Sequence, residues 1–332
     1  MSWSCGQIVR CGGELPGALQ NARGSVSARE GLWLKLADAQ GHLGVGECAP
    51  LPGYSRESLE ACRVALSRWL ETRDDALPAA ARCAVEGAEL DLRGQQLGKP
   101  AHALLSSLPP PAIPLSALVA SVEDAERAVA AGFRTLKLKL GIGPFAEALS
   151  LLRALRRAVG WDVALRLDAN GALPEASVRD QLGALAELRP EFLEEPTTHW
   201  SAALSDSPVP LALDESLLRG IDSAATRLAK VAVLKPMLLG GPKRCLALAE
   251  QLIAAGLDVT VSHTWDGPVG LATAATTALA IAGRWPGRVR ACGLSRHPGL
   301  AAWPERELPY LGTTVLQPNA LPGLGVTGGA AA

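Results

Sequence analysis

The chain has almost no net charge: 32 Lys and Arg against 33 Asp and Glu leave −1. So even a balance offers no electrostatic footprint for nucleic acid or an anionic membrane. Long apolar runs are also missing. The longest, 269–283, is rich in Ala and Thr and too short to span a bilayer, so it reads as a buried helix. The opening MSWSCGQIVRCGG lacks the charged and apolar regions of a signal peptide. None of the cysteines (5, 11, 48, 62, 83, 245, 292) forms a CxxC pair, and the five histidines make no HExxH or HxH pattern. This excludes a disulfide framework and the common zinc motifs, and it suits a reducing compartment, with the cytoplasm as the expected location. Nucleotide motifs fail as well. Gly94–Lys99 (GQQLGK) has too few residues between its glycines for a phosphate loop, and Gly141-Ile-Gly143 has no third glycine. Gly293-Leu-Ser-Arg-His297 lacks the second glycine of a nucleophile elbow.

What is present is a globular composition, 48% hydrophobic and 20% charged, over 332 residues. That length suffices for one large domain or two ordinary ones. The first hundred residues read as a small α+β unit. Gly31–Leu36 alternates like a strand, and Gly44–Glu47 follows after a turn, so an antiparallel hairpin or meander is expected. After the loop APLPGY (49–54), Ser55 reads as the N-cap of a helix running to about Thr72, and a second helix is expected over Leu77–Leu97.

From about Pro114 short apolar strands alternate with helices. Strands are expected at 114–120, 134–140, 162–169, 191–195, 209–215, 231–235, 258–263 and 290–294, with helices at 122–131, 144–159, 175–188 and 242–255. This alternation implies parallel βαβ units, and eight strands suit a closed barrel. Periodicity alone leaves an open doubly wound sheet as the alternative. The Pro- and Gly-rich tail from Ala301 is expected to pack back on the N-terminal unit.

Polar chemistry collects at the strand ends. In ALRLDAN (164–170), strand parity puts Arg166, Asp168 and Asn170 on the face opposite Val163, Leu165 and Leu167. Successive units end in Lys137 and Lys139, Asp168, Glu194 and Glu195, Asp214 and Glu215, and Lys235. Residues one βα unit apart lie side by side at the C-terminal mouth of a barrel, where barrel enzymes keep their chemistry. Converging carboxylates repel, and a hard cation such as Mg²⁺ relieves them. Either acid of the pairs 194/195 fits the strand phase. In an eight-strand barrel the second and sixth strands are opposed, so their lysines would face each other across the metal. For Lys139 to act as a base its pKa must fall from ~10.4 to ~7–8. Together these groups fit removal of a proton alpha to a carboxylate beside a metal. A purely structural lysine–carboxylate network is the competing reading.

The series KLKLG, RLDAN, FLEEP, LALDES and VLKP resembles the lysine and metal motifs of the enolase superfamily, in its muconate-lactonizing-enzyme subgroup, over about 134–240. The resemblance implies an α/β fold: a modified (β/α)7β TIM-type barrel (110–300), an α+β capping domain (1–105), and a tail (301–332) that completes the cap. It implies Asp168, Glu194 and Asp214 as Mg²⁺ ligands, with Mn²⁺ as a substitute, and Lys139 and Lys235 as the catalytic lysines. The loop Gly46–Ser55 (GECAPLPGYS) is similar to the substrate-covering loop of o-succinylbenzoate synthases. That likeness implies dehydration of 2-succinyl-6-hydroxy-2,4-cyclohexadiene-1-carboxylate, a step of menaquinone biosynthesis, on a small-molecule carboxylate with no nucleic-acid or membrane partner. The expected substrate contacts are Lys137, Arg166, Asn170, Gly53, Tyr54, Ser55, Ser262 and His263. Two departures stand out. The seventh strand ends in Ser262-His-Thr-Trp-Asp-Gly267 where the synthases tend to have a Ser-rich stretch followed by Glu-Ser, so His263 and Trp265 are expected to reshape the pocket, and the eighth lacks the Asp-x-Asp of dipeptide epimerases. A racemase or cycloisomerase on the same scaffold is the second reading. The sequence leaves the oligomeric state open.

Overall fold

The computed structural model describes residues 3–21, 24–140 and 143–328. The chain begins with an antiparallel meander of β1 (Cys5–Asn21), β2 (Gly24–Ala37) and β3 (Leu43–Cys48), in that spatial order. The second and third strands occupy the expected hairpin. The first is an addition that sequence alternation does not announce, because CGQIVRCGG mixes glycines and polar residues on both faces. Two helices cover the meander, α1 (Leu59–Thr72) and α2 (Ala79–Leu97). Ser58 caps the first, accepting the Ala61 N–H, so the helix starts one turn later than an N-cap at Ser55 predicts. Ser55 instead closes the preceding loop, its hydroxyl accepting the Leu51 N–H at 2.9 Å. Gly44 and Gly46 let β3 approach α2: a Cβ on Gly46 would lie 1.8 Å from the Ala84 carbonyl oxygen.

After α3 (His102–Leu105) and β4 (Ile113–Pro114), seven parallel strands follow one another around a curled sheet. They are β5 (Ala117–Val119), β6 (Thr135–Lys139), β7 (Ala164–Asp168), β8 (Phe192–Glu194), β9 (Leu211–Leu213), β10 (Ala229–Leu234) and β11 (Asp258–Val261). The intervening helices are α4 (Val122–Ala130), α5 (Phe145–Val159), α6 (Val178–Ala186), α7 (Ser223–Leu228), α8 (Pro236–Leu239) and α9 (Pro242–Ala254). α10 (Pro268–Arg284) follows the last strand and is buried from Pro268 to Gly283, as its apolar run predicts. The helix expected from residue 175 begins at Val178, after a turn through Asn170 and Gly171.

The eighth strand expected at 290–294 does not form as a regular strand. That stretch closes the sheet through single parallel bridges, Val259 to Val289 and Ser262 to Gly293 on one side and Leu115 to Cys292 on the other. The Cys292 N–H donates to the Pro114 carbonyl and the Gly293 N–H to Val261, so both sheet edges are satisfied and the barrel closes. The tail returns to the N-terminal unit. β12 (Val315–Leu316) pairs with β4, the Leu324 N–H donates to Asp91 of α2, and Gly323 bridges to Pro100. Among the described residues no helix is long and apolar enough to cross a membrane.

Candidate active site

Strand register decides which side chains share the barrel mouth. β6 and β7 align Lys137 with Arg166 and Lys139 with Asp168, and β8 aligns Glu194 with Asp168. Asp168, Glu194 and Asp214 follow at consecutive strand ends, each almost fully buried, with carboxylate oxygens all within 4.8 Å of one another. The ambiguity at residues 194 and 195 resolves locally. Glu195 leaves the strand at φ 38° and accepts the backbone N–H groups of Asp214 (2.6 Å) and Ser216 (2.9 Å), so it secures the next strand end while Glu194 faces the barrel axis. Glu215 likewise turns aside to accept the Asn170 amide at 3.0 Å.

Two lysines pair with the triad. Lys137 Nζ lies 2.8 Å from Asp168 and 2.5 Å from Glu194, and Lys235 pairs with Asp214. Lys139 has no ion pair of this kind among the described residues. Burial drives the Lys139 ammonium below its usual range, opposed by Asp168 and reinforced by Lys137 and Lys235. For Lys137 and Lys235 burial acts in the same sense, but their carboxylate partners outweigh it and hold both ammonium groups above the usual range. Burial also works to raise Asp168, which the lysines overcome, so its carboxyl stays below the ordinary range. In Glu194 burial wins, and in Asp214 burial and the Glu215 charge together win, so both carboxyls rise. The three lysines therefore do not fully compensate three carboxylates at this depth. A hard divalent cation fits the remaining demand: three buried oxygen donors, no sulfur, and an incomplete ligand set that leaves room for water or substrate.

Lys137, Lys139, Asp168, Asn170, Lys235, Ser262 and His263 line one cavity, over which the capping loop places Leu51 and Tyr54. Several expected contacts are corrected. Gly53 shapes the loop at φ 82° and does not line this cavity, and Ser55 faces an adjoining one between the capping loop and α8. Arg166 has the right parity at the wrong depth. One layer beneath Asp168, it donates to Glu191 at 2.7 Å and to the Ala291 carbonyl at 2.5 Å, over the Phe192 ring. Glu191, the residue before β8, pairs with its charge. Trp265, which with His263 was expected to reshape the pocket, lines the cavity, whereas sequence reasoning missed Ser116, Leu118, Thr264, Gly293 and Ser295 as lining residues. For Thr264 the divergent run 262–267 was the available signal.

Comparison with known proteins places these features in a family. Residues 120–330 match the Enolase C-terminal domain-like family, and residues 19–83 match the family described as MenC, N-terminal domain. The o-succinylbenzoate synthase of Yersinia pestis is 30% identical over 327 residues, covering 88% of this chain and 91% of that protein. The L-Lys-D/L-Arg epimerase of Methylococcus capsulatus is 30% identical over 288 residues, covering 77% and 81%. In three dimensions, a substrate-liganded L-Ala-D/L-Glu epimerase from Bacillus subtilis superposes with a TM-score of 0.81 at 23% identity, over 99% of this chain and 100% of that one.

Proposed function

This chain belongs to the enolase superfamily, and from that footing we propose that it is a Mg²⁺-dependent o-succinylbenzoate synthase. The observation that carries the reading is the disposition of Lys139 and Lys235, which line one cavity from β6 and from the end of β10, with the carboxylate triad on the three strand ends between them. Asp168, Glu194 and Asp214 would hold the metal, for which Mn²⁺ can stand in. When bound, the metal supplies Lewis-acid charge beside a substrate carboxylate.

The chain's own groups do the rest. Lys139, the lysine whose pKa burial lowers, is the base. Its neutral Nζ takes the proton alpha to the carboxylate of 2-succinyl-6-hydroxy-2,4-cyclohexadiene-1-carboxylate. The same ammonium then returns that proton to the departing hydroxyl, so the products are o-succinylbenzoate and water. Lys235, held cationic by Asp214, steadies the negative charge that develops on the carboxylate between the two transfers. Lys137 keeps Asp168 ionised, opposes the burial that raises Glu194, and adds a positive charge near the anionic substrate.

The lining supports an anionic substrate. With a divalent cation bound, the three carboxylates would be outweighed by that cation together with Lys137 and Lys235, and the stretch 293–297 supplies no acid to hold a substrate ammonium, as a dipeptide substrate would require. This reaction class would place the enzyme in menaquinone biosynthesis, in the cytoplasm. Assay with the cyclohexadiene substrate and Mg²⁺ tests the reading: aromatic product is expected, and its absence at micromolar enzyme sinks the proposal. A second reading, an N-succinylamino acid racemase, is favoured by the same lysine pair, since a group on each face of an alpha carbon serves racemisation. Exchange of the alpha hydrogen of N-succinylamino acids in deuterated water reports it directly.

A further inference from the structure

Trp265 lies just beyond β11 and lines the cavity together with His263 and Thr264. Its φ is 55°, a left-handed conformation in which a bulky aromatic residue is an outlier. Such strain persists only where surrounding contacts impose it, and here they do so at both ends of the residue. The Trp265 N–H donates to His263 Nδ1 at 3.0 Å, and the Trp265 carbonyl accepts Arg29 Nε at 3.0 Å. His263 is in turn stacked on His297, ring centroids 4.1 Å apart at 23°. Burial keeps both imidazoles uncharged near neutral pH, which leaves His263 Nδ1 free to act as the acceptor that the Trp265 N–H needs.

Arg29 comes from β2, 236 positions before Trp265, and is 1% exposed. Its other N–H groups go to the carbonyls of Ala49 (2.9 Å), Pro50 (3.2 Å) and Thr264 (3.5 Å). One guanidinium thus ties the capping loop, which brings Leu51 and Tyr54 to the cavity, to the turn that carries Trp265. An arginine remote in sequence, itself anchored on the capping loop, and His263 two residues away hold one tryptophan in a conformation that glycine would adopt without cost.

We propose that Trp265 is the specificity-determining wall of this cavity, and that Arg29 and His263 are the positioning residues that hold it in place. The proposal rests on the reading above and deepens it. A flat wall beside Tyr54, Leu51 and Leu118 suits an unsaturated or aromatic ring carrying a carboxylate, in preference to a flexible amino-acid derivative.

The test uses the full-length enzyme with Mg²⁺. Binding of o-succinylbenzoate is measured by calorimetry for the wild type, Trp265→Phe, Trp265→Leu, Trp265→Gly and Arg29→Lys. Trp265→Gly relieves the positive φ, so its thermal midpoint is expected to stay close to that of the wild type while affinity falls about tenfold. Trp265→Phe should retain affinity within about threefold, and Trp265→Leu should lose it like glycine. Arg29→Lys, which keeps the charge and loses the fork, should raise KM with kcat little changed. Wild-type affinity in folded Trp265→Gly and Trp265→Leu overturns the proposal, as does a lowered midpoint with affinity intact. Two outcomes separate the proposal from the assigned reaction. If the wild type binds the ring compound tightly and the variants do not, yet no dehydration occurs, the reaction assignment fails and the wall stands. If dehydration occurs and the variants bind as the wild type does, the wall fails and the reaction stands.

Discussion

Lys137 Nζ sits 2.8 Å from Asp168 Oδ2, whereas Lys139, two residues along the same strand face, has no carboxylate partner of this kind among the described residues. Two side chains that parity makes equivalent therefore hold opposite charge preferences. The paired lysine is fixed as a cation, and the unpaired one is pushed by burial toward the free amine.

This difference predicts distinct behaviour on substitution. Lys139→Ala should lower kcat by about a thousandfold and leave the thermal midpoint unchanged or higher, because it removes a buried amine that has no ion-pair partner. Lys235→Ala should lower turnover similarly but reduce metal-free stability, because it leaves Asp214 buried without its cation. Single-turnover kinetics with circular dichroism melts distinguishes the two, and near-wild-type turnover in either variant refutes the lysine assignment.

Metal should stabilise the fold through the same triad. At a Mg²⁺ concentration about one hundred times the dissociation constant, linkage adds about 2.7 kcal/mol to unfolding. Asp168→Asn, Glu194→Gln and Asp214→Asn should each abolish that gain, and chelation should abolish activity. Denaturant titrations with and without Mg²⁺ measure it. A Glu195→Gln variant that lost metal binding while Glu194→Gln kept it would reverse the choice between the two glutamates.

Arg166 should matter for stability and little for binding. Arg166→Leu breaks its bond to Glu191, and we expect a loss of about 2–3 kcal/mol. That is less than the about 3–5 kcal/mol typical of a buried pair, because Glu191 keeps some solvent and Arg290 nearby. KM per folded molecule should stay within about threefold of wild type, since the side chain lies below the cavity. A large KM change with intact stability would return Arg166 to the substrate site.

Glu47 predicts a pH dependence of folding. Burial, with the charge of Asp266, raises its carboxyl from 4.5 to about 7, against hydrogen bonds from Gly270, Trp33 and Gly267. The folded protein then retains a proton that the unfolded chain releases between these two values, so stability falls as pH rises through that window. The contribution is about 3 kcal/mol at most. Glu47→Gln should flatten this part of the stability–pH curve, measured by urea unfolding at pH 5 and pH 7.5. An unchanged slope would assign the dependence elsewhere.

The βα rhythm and the strand-end charges were legible because both are local. Strand parity places Lys139 and Asp168 on the inner face without knowledge of any neighbour, whereas the choice of Glu194 over Glu195 needs the tertiary hydrogen bonds that occupy Glu195. Helix entry was misread at Ser55 because two serines three residues apart offer the same chemistry, and only the loop closed by the Ser55 hydroxyl makes Ser58 the cap. The eighth strand was overread. RACGL has strand composition, but in the barrel it closes by isolated bridges.

By itself the sequence determined which residue types recur at each barrel strand end, and hence a metal-assisted proton abstraction as the expected chemistry. Pattern and spacing suffice for that, because each strand's parity and each unit's length are set by nearest neighbours. Depth and partnership were decided only by the tertiary structure. Arg166 shares a face with Asp168 but ends one layer below it, beside Glu191. Trp265 is held by an arginine from a different domain layer 236 residues earlier. Such relations depend on how strands stagger and on what a distant loop brings to the mouth, and no local pattern encodes either.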